Sequence, residues 1–153
     1  MKSMLLLILS SGLLLMGCCV SKKHYQNDAT SVIKMSKGVC FGSCPVYDIT
    51  IDGTGKATYL GKRFVEKIGT YTKTFTLEET NLLFKKFEKA GFWDFKDEYT
   101  AEVTDLPTTF ITLEQNGKSK KIKAYYDIPE TLQDLIKEVD TYSNTEGWTG
   151  PNE

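Results

Sequence analysis

The segment of this chain best equipped for chemistry is Cys40-Phe-Gly-Ser-Cys44-Pro45-Val-Tyr47. Its two thiols are separated by three residues, one of them Gly42, so a tight turn can bring the two α-carbons within bridging distance. Two uses of such a pair stay open. In an oxidising compartment a structural disulfide is the default, and closing so short a loop contributes about 2 kcal/mol by the chain-entropy argument. Left reduced, the pair could exchange with other thiols or hold a soft ion such as Cu(I) through two thiolates. Carboxylates form the second candidate set. Asp48 and Asp52 share one face of an alternating stretch, Asp105 precedes Leu106-Pro107, and Glu98 and Glu102 lie nearby in sequence. They could divide acid and base roles only if their surroundings split their pKa values, and solvated strand-face or turn carboxylates are the expectation. Asp105 could equally fix its own turn. The single histidine, His24, falls in a polar stretch ahead of the folded part, which disfavours Ser-His-Asp and Cys-His catalysis and histidine-rich zinc sites. No phosphate-binding glycine loop, nucleophile elbow or HExxH motif is present. No catalytic residue, metal ion or cofactor is assigned on this basis.

A different chemistry is written at the start of the chain. Lys2, an apolar run from Met4 to Met16 and the tetrapeptide Leu15-Met16-Gly17-Cys18 follow one another. The run is too short for a membrane span, which takes roughly 20 residues, and reads as a cleaved export signal. It resembles a bacterial lipoprotein signal, with Met16 in a slot more often held by Ala, Ser or Thr. The resemblance implies a diacylglyceryl group on the Cys18 thiol, cleavage after Gly17 and Cys18 as the first mature residue. Two or more acyl chains hold a protein at a membrane where one holds it only marginally. The expected location is therefore the bacterial cell envelope, lipid-anchored and either periplasmic or surface-facing. Residues 1–17 are expected to be the signal, 18–30 a flexible tether, 31–143 a single domain and 144–153 a C-terminal tail.

The elements that must position these residues alternate between periods of two and 3.6. Tyr47, Ile49 and Ile51 oppose Asp48, Thr50 and Asp52, a half-buried strand. Asp52-Gly-Thr-Gly55 turns it into a partner strand over 56–61, and Asn116-Gly117 similarly joins 108–114 to 120–126. Shorter strands are expected at 31–35 and 70–76. Thr76-Leu-Glu-Glu79 fits a capping box that opens a helix with Thr80, Leu83, Phe84, Phe87 and Ala90 on one face, stopped by Gly91. Pro129 opens a second helix with Leu132, Leu135, Ile136, Val139 and Tyr142 inward. Phe92, Trp93 and Phe95 are expected to lid the core, the alternative being an exposed stacking platform. Pro45–Lys56 aligns without gaps on Pro107–Lys118, a faint internal repeat. The fold class is α+β: an antiparallel sheet built from hairpins with two amphipathic helices packed on one face.

With 19 basic and 20 acidic residues and a net charge of −1, the chain lacks the basic excess of a nucleic-acid binder. Lys118, Lys120, Lys121 and Lys123 are the local exception, expected as a charged strand edge that resists aggregation, with a patch for anionic headgroups or polyanions as the alternative.

Two family resemblances bear on the cysteine pair. Cys-x-x-x-Cys-Pro resembles the copper-binding loop of Sco-type assembly proteins, which add a distant histidine that the expected domain lacks. More widely, Cys40–Asp52, Thr58-Tyr-Leu-Gly-Lys-Arg-Phe64 and Thr104-Asp-Leu-Pro-Thr-Thr109 resemble the hallmark blocks of an uncharacterised bacterial family, domain of unknown function 6438, whose extent here would be about Ile33 to Tyr142. Members commonly carry lipoprotein or secretory signals, and the family implies no established activity. The leading expectation is a non-enzymatic envelope lipoprotein that binds a protein or glycan partner or plays a structural part. The alternative is a thiol-dependent envelope protein, redox-active or Cu(I)-binding, working through Cys40 and Cys44.

Overall fold

The structure is a computed structural model that describes residues 27–152. Eight strands, β1 (Val32–Lys37), β2 (Val46–Asp52), β3 (Lys56–Arg63), β4 (Gly69–Thr74), β5 (Glu98–Tyr99), β6 (Thr109–Gln115), β7 (Lys118–Ala124) and β8 (Thr149–Asn152), form one sheet in the order β5-β7-β6-β1-β2-β3-β4-β8. Helices α1 (Leu77–Lys89) and α2 (Glu130–Asn144) supply its cover, and a 3-10 turn spans Phe92–Asp94. The α+β class and the two hairpins are as the periodicity predicts, with strand limits shifted by one or two residues. The sheet is mixed, because the short β5 runs parallel to β7 while every other pair is antiparallel.

Alternation along the strands sends Ile33, Met35, Ile49, Ile51, Ile111 and Leu113, all at most 1% exposed, to the helix side. Thr76 and Glu79 close the capping box: Thr76 Oγ1 accepts from the Glu79 N–H at 3.2 Å, and Glu79 Oε2 accepts from the Thr76 N–H at 2.8 Å. The Thr76 hydroxyl, donating to Glu79 Oε2 at 2.7 Å, and the Thr76 N–H stabilise the Glu79 carboxylate and lower its pKa. Gly91 takes a left-handed φ of 65° that stops α1 and starts the 3-10 turn. Phe92 is fully buried with its ring 5.1 Å from that of Phe87, and Trp93 and Phe95 are half-buried against it, so the aromatic cluster belongs to the core.

Three features depart from or refine the local reading. Residues 144–153 carry no strand periodicity, yet Thr149–Asn152 pairs with β4 and closes that edge of the sheet. Trp148 anchors this segment, with its ring 5.7 Å from Tyr59 and 6.0 Å from Phe75. At the far end of the expected tether, Asn27 and Asp28 are docked: the Asn27 amide bridges Asn81 and Gln115, and Asp28 accepts from the Thr30 and Ser31 N–H groups. Cys18, Cys19 and His24 lie outside the described residues. The internal repeat reappears as register. Tyr47 and Thr109 both face Lys37, Ile49 and Ile111 both face Met35, and Asp52 and Glu114 both face Val32. Among the described residues no helix is long and apolar enough to cross a membrane.

Candidate functional site: the loop end of the sheet

The register divides the sheet into two ends. At one lie the tight turns 53–55 and 116–117 and the docked Asn27; here the chain enters the domain. At the other, the last row shared by seven strands reads Tyr99, Ala124, Thr109, Lys37, Tyr47, Gly61 and Gly69, with only Val46 and Arg63 paired beyond it. Four connections leave this row: 38–45, 64–68, 100–108 and 125–129. They form a ridge roughly 30 Å wide at ordinary strand spacing.

That ridge holds most of the large apolar side chains the described residues expose. Val39, Phe41, Phe64, Ile68, Val103 and Leu106 project from its loops, and Phe41 is 89% exposed. Phe41 sits inside the five-residue ring closed by Cys40 and Cys44, whose sulfurs lie at disulfide distance with α-carbons 5.8 Å apart. Neighbouring loops are tied together. The Gly38 N–H donates to the Thr108 carbonyl at 2.8 Å, and the Tyr125 hydroxyl donates to the Val103 carbonyl at 2.6 Å. Phe64, Asp105 and Asp127 adopt left-handed φ values of 53°, 75° and 48°. For a bulky residue such as Phe64 this conformation is costly and persists only where the surroundings impose it.

Directly inside the ridge, on the helix side, is a polar cluster. Lys37 Nζ lies 2.9 and 2.7 Å from the two Asp140 carboxylate oxygens. The Tyr47 hydroxyl donates to the same carboxylate, and Ser143 Oγ lies 3.3 Å from that hydroxyl while donating to the Asp140 carbonyl at 2.8 Å. Burial, with the hydrogen bond to Asp140, pushes the Tyr47 pKa well above the ordinary tyrosine value. Burial also raises Tyr59 and Tyr142 to about 12. Tyr47 is thus a fixed donor that joins β2 to α2, positioned to brace the row from which the cysteine loop springs.

Because these folded-state pKa values exceed the unfolded value near 10, the neutral tyrosines contribute stability that is whole below pH 10 and is lost as pH climbs through 12. Tyr47→Phe should lower unfolding free energy by about 1.5 kcal/mol at neutral pH, the low end for a bond to a charged group because Asp140 keeps 27% of its side chain exposed. It should also flatten the alkaline loss. Urea titrations of both proteins at pH 7 and pH 11 measure the two effects.

The carboxylates singled out in the sequence do not converge. Asp48 pairs with Lys62 and Ser36 on the open sheet face, Asp52 accepts from Thr54 and Lys56 in its turn, Glu98 pairs with Lys123, and Asp105 sits in a loop accepting from Thr104. A shared acid–base pocket for them is therefore absent from the described residues. Nor does any group of three His, Cys, Asp or Glu side chains there form a cluster that could hold a metal ion. The lysine run is split by strand alternation: Lys120 reaches the Trp93 carbonyl and Asp97, Lys123 reaches Glu98, and Lys121 covers the Phe110 ring at 4.4 Å. This is the charged-edge arrangement. Lys37, Ile68 and Asp140 carry no motif of their own in the sequence, and Phe64 enters only as the end of a family block. For Asp140 a signal existed, since it and Ser143 continue the Ile136 and Val139 stripe at helical spacing.

Sheet, helices and a cysteine-closed loop define a single α+β domain with its apolar display at one end of the strands. The chain belongs to the family described as domain of unknown function (DUF6438), whose model matches residues 31–143. All three sequence blocks that carry the resemblance, 40–52, 58–64 and 104–109, reach the loop end. No curated protein and no solved structure matches the chain significantly.

Proposed function

We propose that this protein is an envelope lipoprotein, acylated on Cys18, whose domain is a non-enzymatic binding module that docks a protein through its loop end. The observation that carries the reading is Phe41, 89% exposed in a loop pinned at both ends by Cys40 and Cys44. A large aromatic in water is costly to display, and on a loop pinned at both ends it is less costly to dock, because little backbone freedom is lost on binding. Large apolar side chains gathered at one end of a domain in this way mark a candidate interaction site. The aliphatic and aromatic tips favour an apolar protein surface over a glycan.

From Cys18 to Asn27 the chain can extend at most about 30 Å, and Asn27 is docked at the turn end, with about 23 Å of strand between it and the ridge. The ridge thus lies at the end of the domain opposite the entry of the chain.

Mass spectrometry of the intact protein from membranes should find a diacylglyceryl adduct on Cys18. A photoreactive residue placed at 41 should crosslink to protein, and one at 116 in the turn end should not. Phe41→Ala should weaken docking by about 2 kcal/mol, near thirtyfold, as loss of an interface anchor does, with the melting temperature unchanged. An unmodified Cys18 in protein recovered from cytosol, or equal crosslinking from both ends, would overturn the proposal.

A further inference from the structure

Resting on the loop end as a docking surface, we infer that its occupant is a second copy of this chain, seated end to end about a two-fold axis. The two wings of the ridge carry opposite charge. On the β7–β6 side, the connections 100–108 and 125–129 contain Glu102, Asp105 and Asp127 and no Lys or Arg. On the β3–β4 side, Arg63 and Lys67 flank the tip, with Glu66 as the one acid among them. Elsewhere on the sheet opposite charges pair within the chain, as Lys34 does with Glu114 and Lys62 with Asp48. None of the wing charges forms an ion pair among the described residues. Lys67 and Arg63 lie instead over the Tyr59 and Phe64 rings, at 5.4 and 5.0 Å.

Between the wings stands the uncharged cysteine loop, and it springs from β1 and β2, the two middle strands of the eight. This placement gives the ridge the form an isologous contact needs. A half-turn about an axis through the centre, normal to the sheet, lays the acidic wing of one copy over the basic wing of the other, twice, and sets Phe41 against its symmetry mate. The four connections supply roughly two dozen residues, the number that one side of a standard interface uses. Opposed charges at such a rim select register and partner, while the apolar centre holds the pair together. With their attachment points at opposite extremes, two copies lying along one membrane can both keep their anchors in it.

The test uses the full-length chain in its own envelope, in two differently tagged versions expressed together, with the photoreactive residue at position 41 of one. The expected product is a covalent adduct of the two tagged copies. Arg63→Glu in both copies should lower its yield at least about tenfold by setting like charges on each other, and so should Glu102→Lys. Both substitutions together exchange the two charges, restoring opposite signs at positions 63 and 102, and should return most of the lost yield, which also shows that the doubly substituted chain folds. Single reversals that leave the yield unchanged, or a double variant that fails to recover it, would overturn the inference. An adduct only to a different protein would overturn it while leaving the docking reading intact; no protein adduct at all would remove both.

Discussion

Replacing Phe87 with alanine should cost about 3–5 kcal/mol of folding free energy, the range for truncating a fully buried phenylalanine. Phe87 is 0% exposed, on the inward face of α1, with its ring 5.1 Å from that of Phe92. Truncation removes the transfer gain of the ring and leaves a void between helix and sheet that the surrounding side chains fill only in part. For a single domain whose total stability lies in the usual range of about 5–15 kcal/mol, this is a large share. Urea denaturation of the two proteins, compared at equal slope, measures it. A loss under about 1 kcal/mol would mean that α1 does not pack on the sheet as described. Phe87→Leu retains most of the volume and should recover more than half of the loss.

The second large effect is expected at Gly61, where the constraint is backbone against backbone. A Cβ there would lie 1.6 Å from the Lys67 carbonyl oxygen, 2.8 Å from its carbon and 3.0 Å from the Tyr59 ring. The connection between β3 and β4 folds back over this residue, and a peptide group cannot swing aside as a long side chain can. Gly61→Ala should therefore cost about 3 kcal/mol, at the upper end of ordinary overpacking. It should also displace Phe64 and Ile68, so docking through the loop end falls together with stability. Gly117→Ala is the control. Nothing lies within 4 Å of its added Cβ, and only the left-handed φ of 72° is penalised, by about 1 kcal/mol at the turn end. Equal melting temperatures for wild type and Gly61→Ala would show that the connection does not cross the strand there.

The two effects meet in one design. Helices cover one face of the sheet, β5 and β8 terminate its edges, and the turns at the chain-entry end are tight. Apolar surface is thereby concentrated at the loop end, where Phe64 is held in a left-handed conformation and Phe41 in a closed ring. Bracing from below comes from the bonds of Tyr47 and Lys37 to Asp140.

Much of this fold was legible in local pattern. The period-two run of β2, the Asn116-Gly117 turn, the Thr76–Glu79 box and the inward stripes of both helices depend on interactions within a few residues, so the sequence states them directly. The cysteine spacing is of the same kind, since a short ring needs only its own turn to close. Harder to read were β5 and β8, because two to four residues carry no usable periodicity and β8 is held by its pairing with β4 and by Trp148 against Tyr59 and Phe75. The candidate site was legible only in part. Cys40, Cys44 and Tyr47 stood out, while Phe64 and Ile68 in one connection and Val103 and Leu106 in another carry no local signal that places them at the same end of the sheet.

By itself, then, the sequence determined the α+β class, the two hairpins, the helix starts and faces, and the spacing of the cysteines around Phe41, all products of short-range sterics, capping and alternation. Tertiary structure alone decided that four connections distant in sequence leave one row of the sheet, that Asp140 meets Tyr47 and Lys37, and that the chain enters at the opposite end. Those outcomes follow from strand order and register, which are set by burying the shared apolar face of the whole sheet and have no local signature.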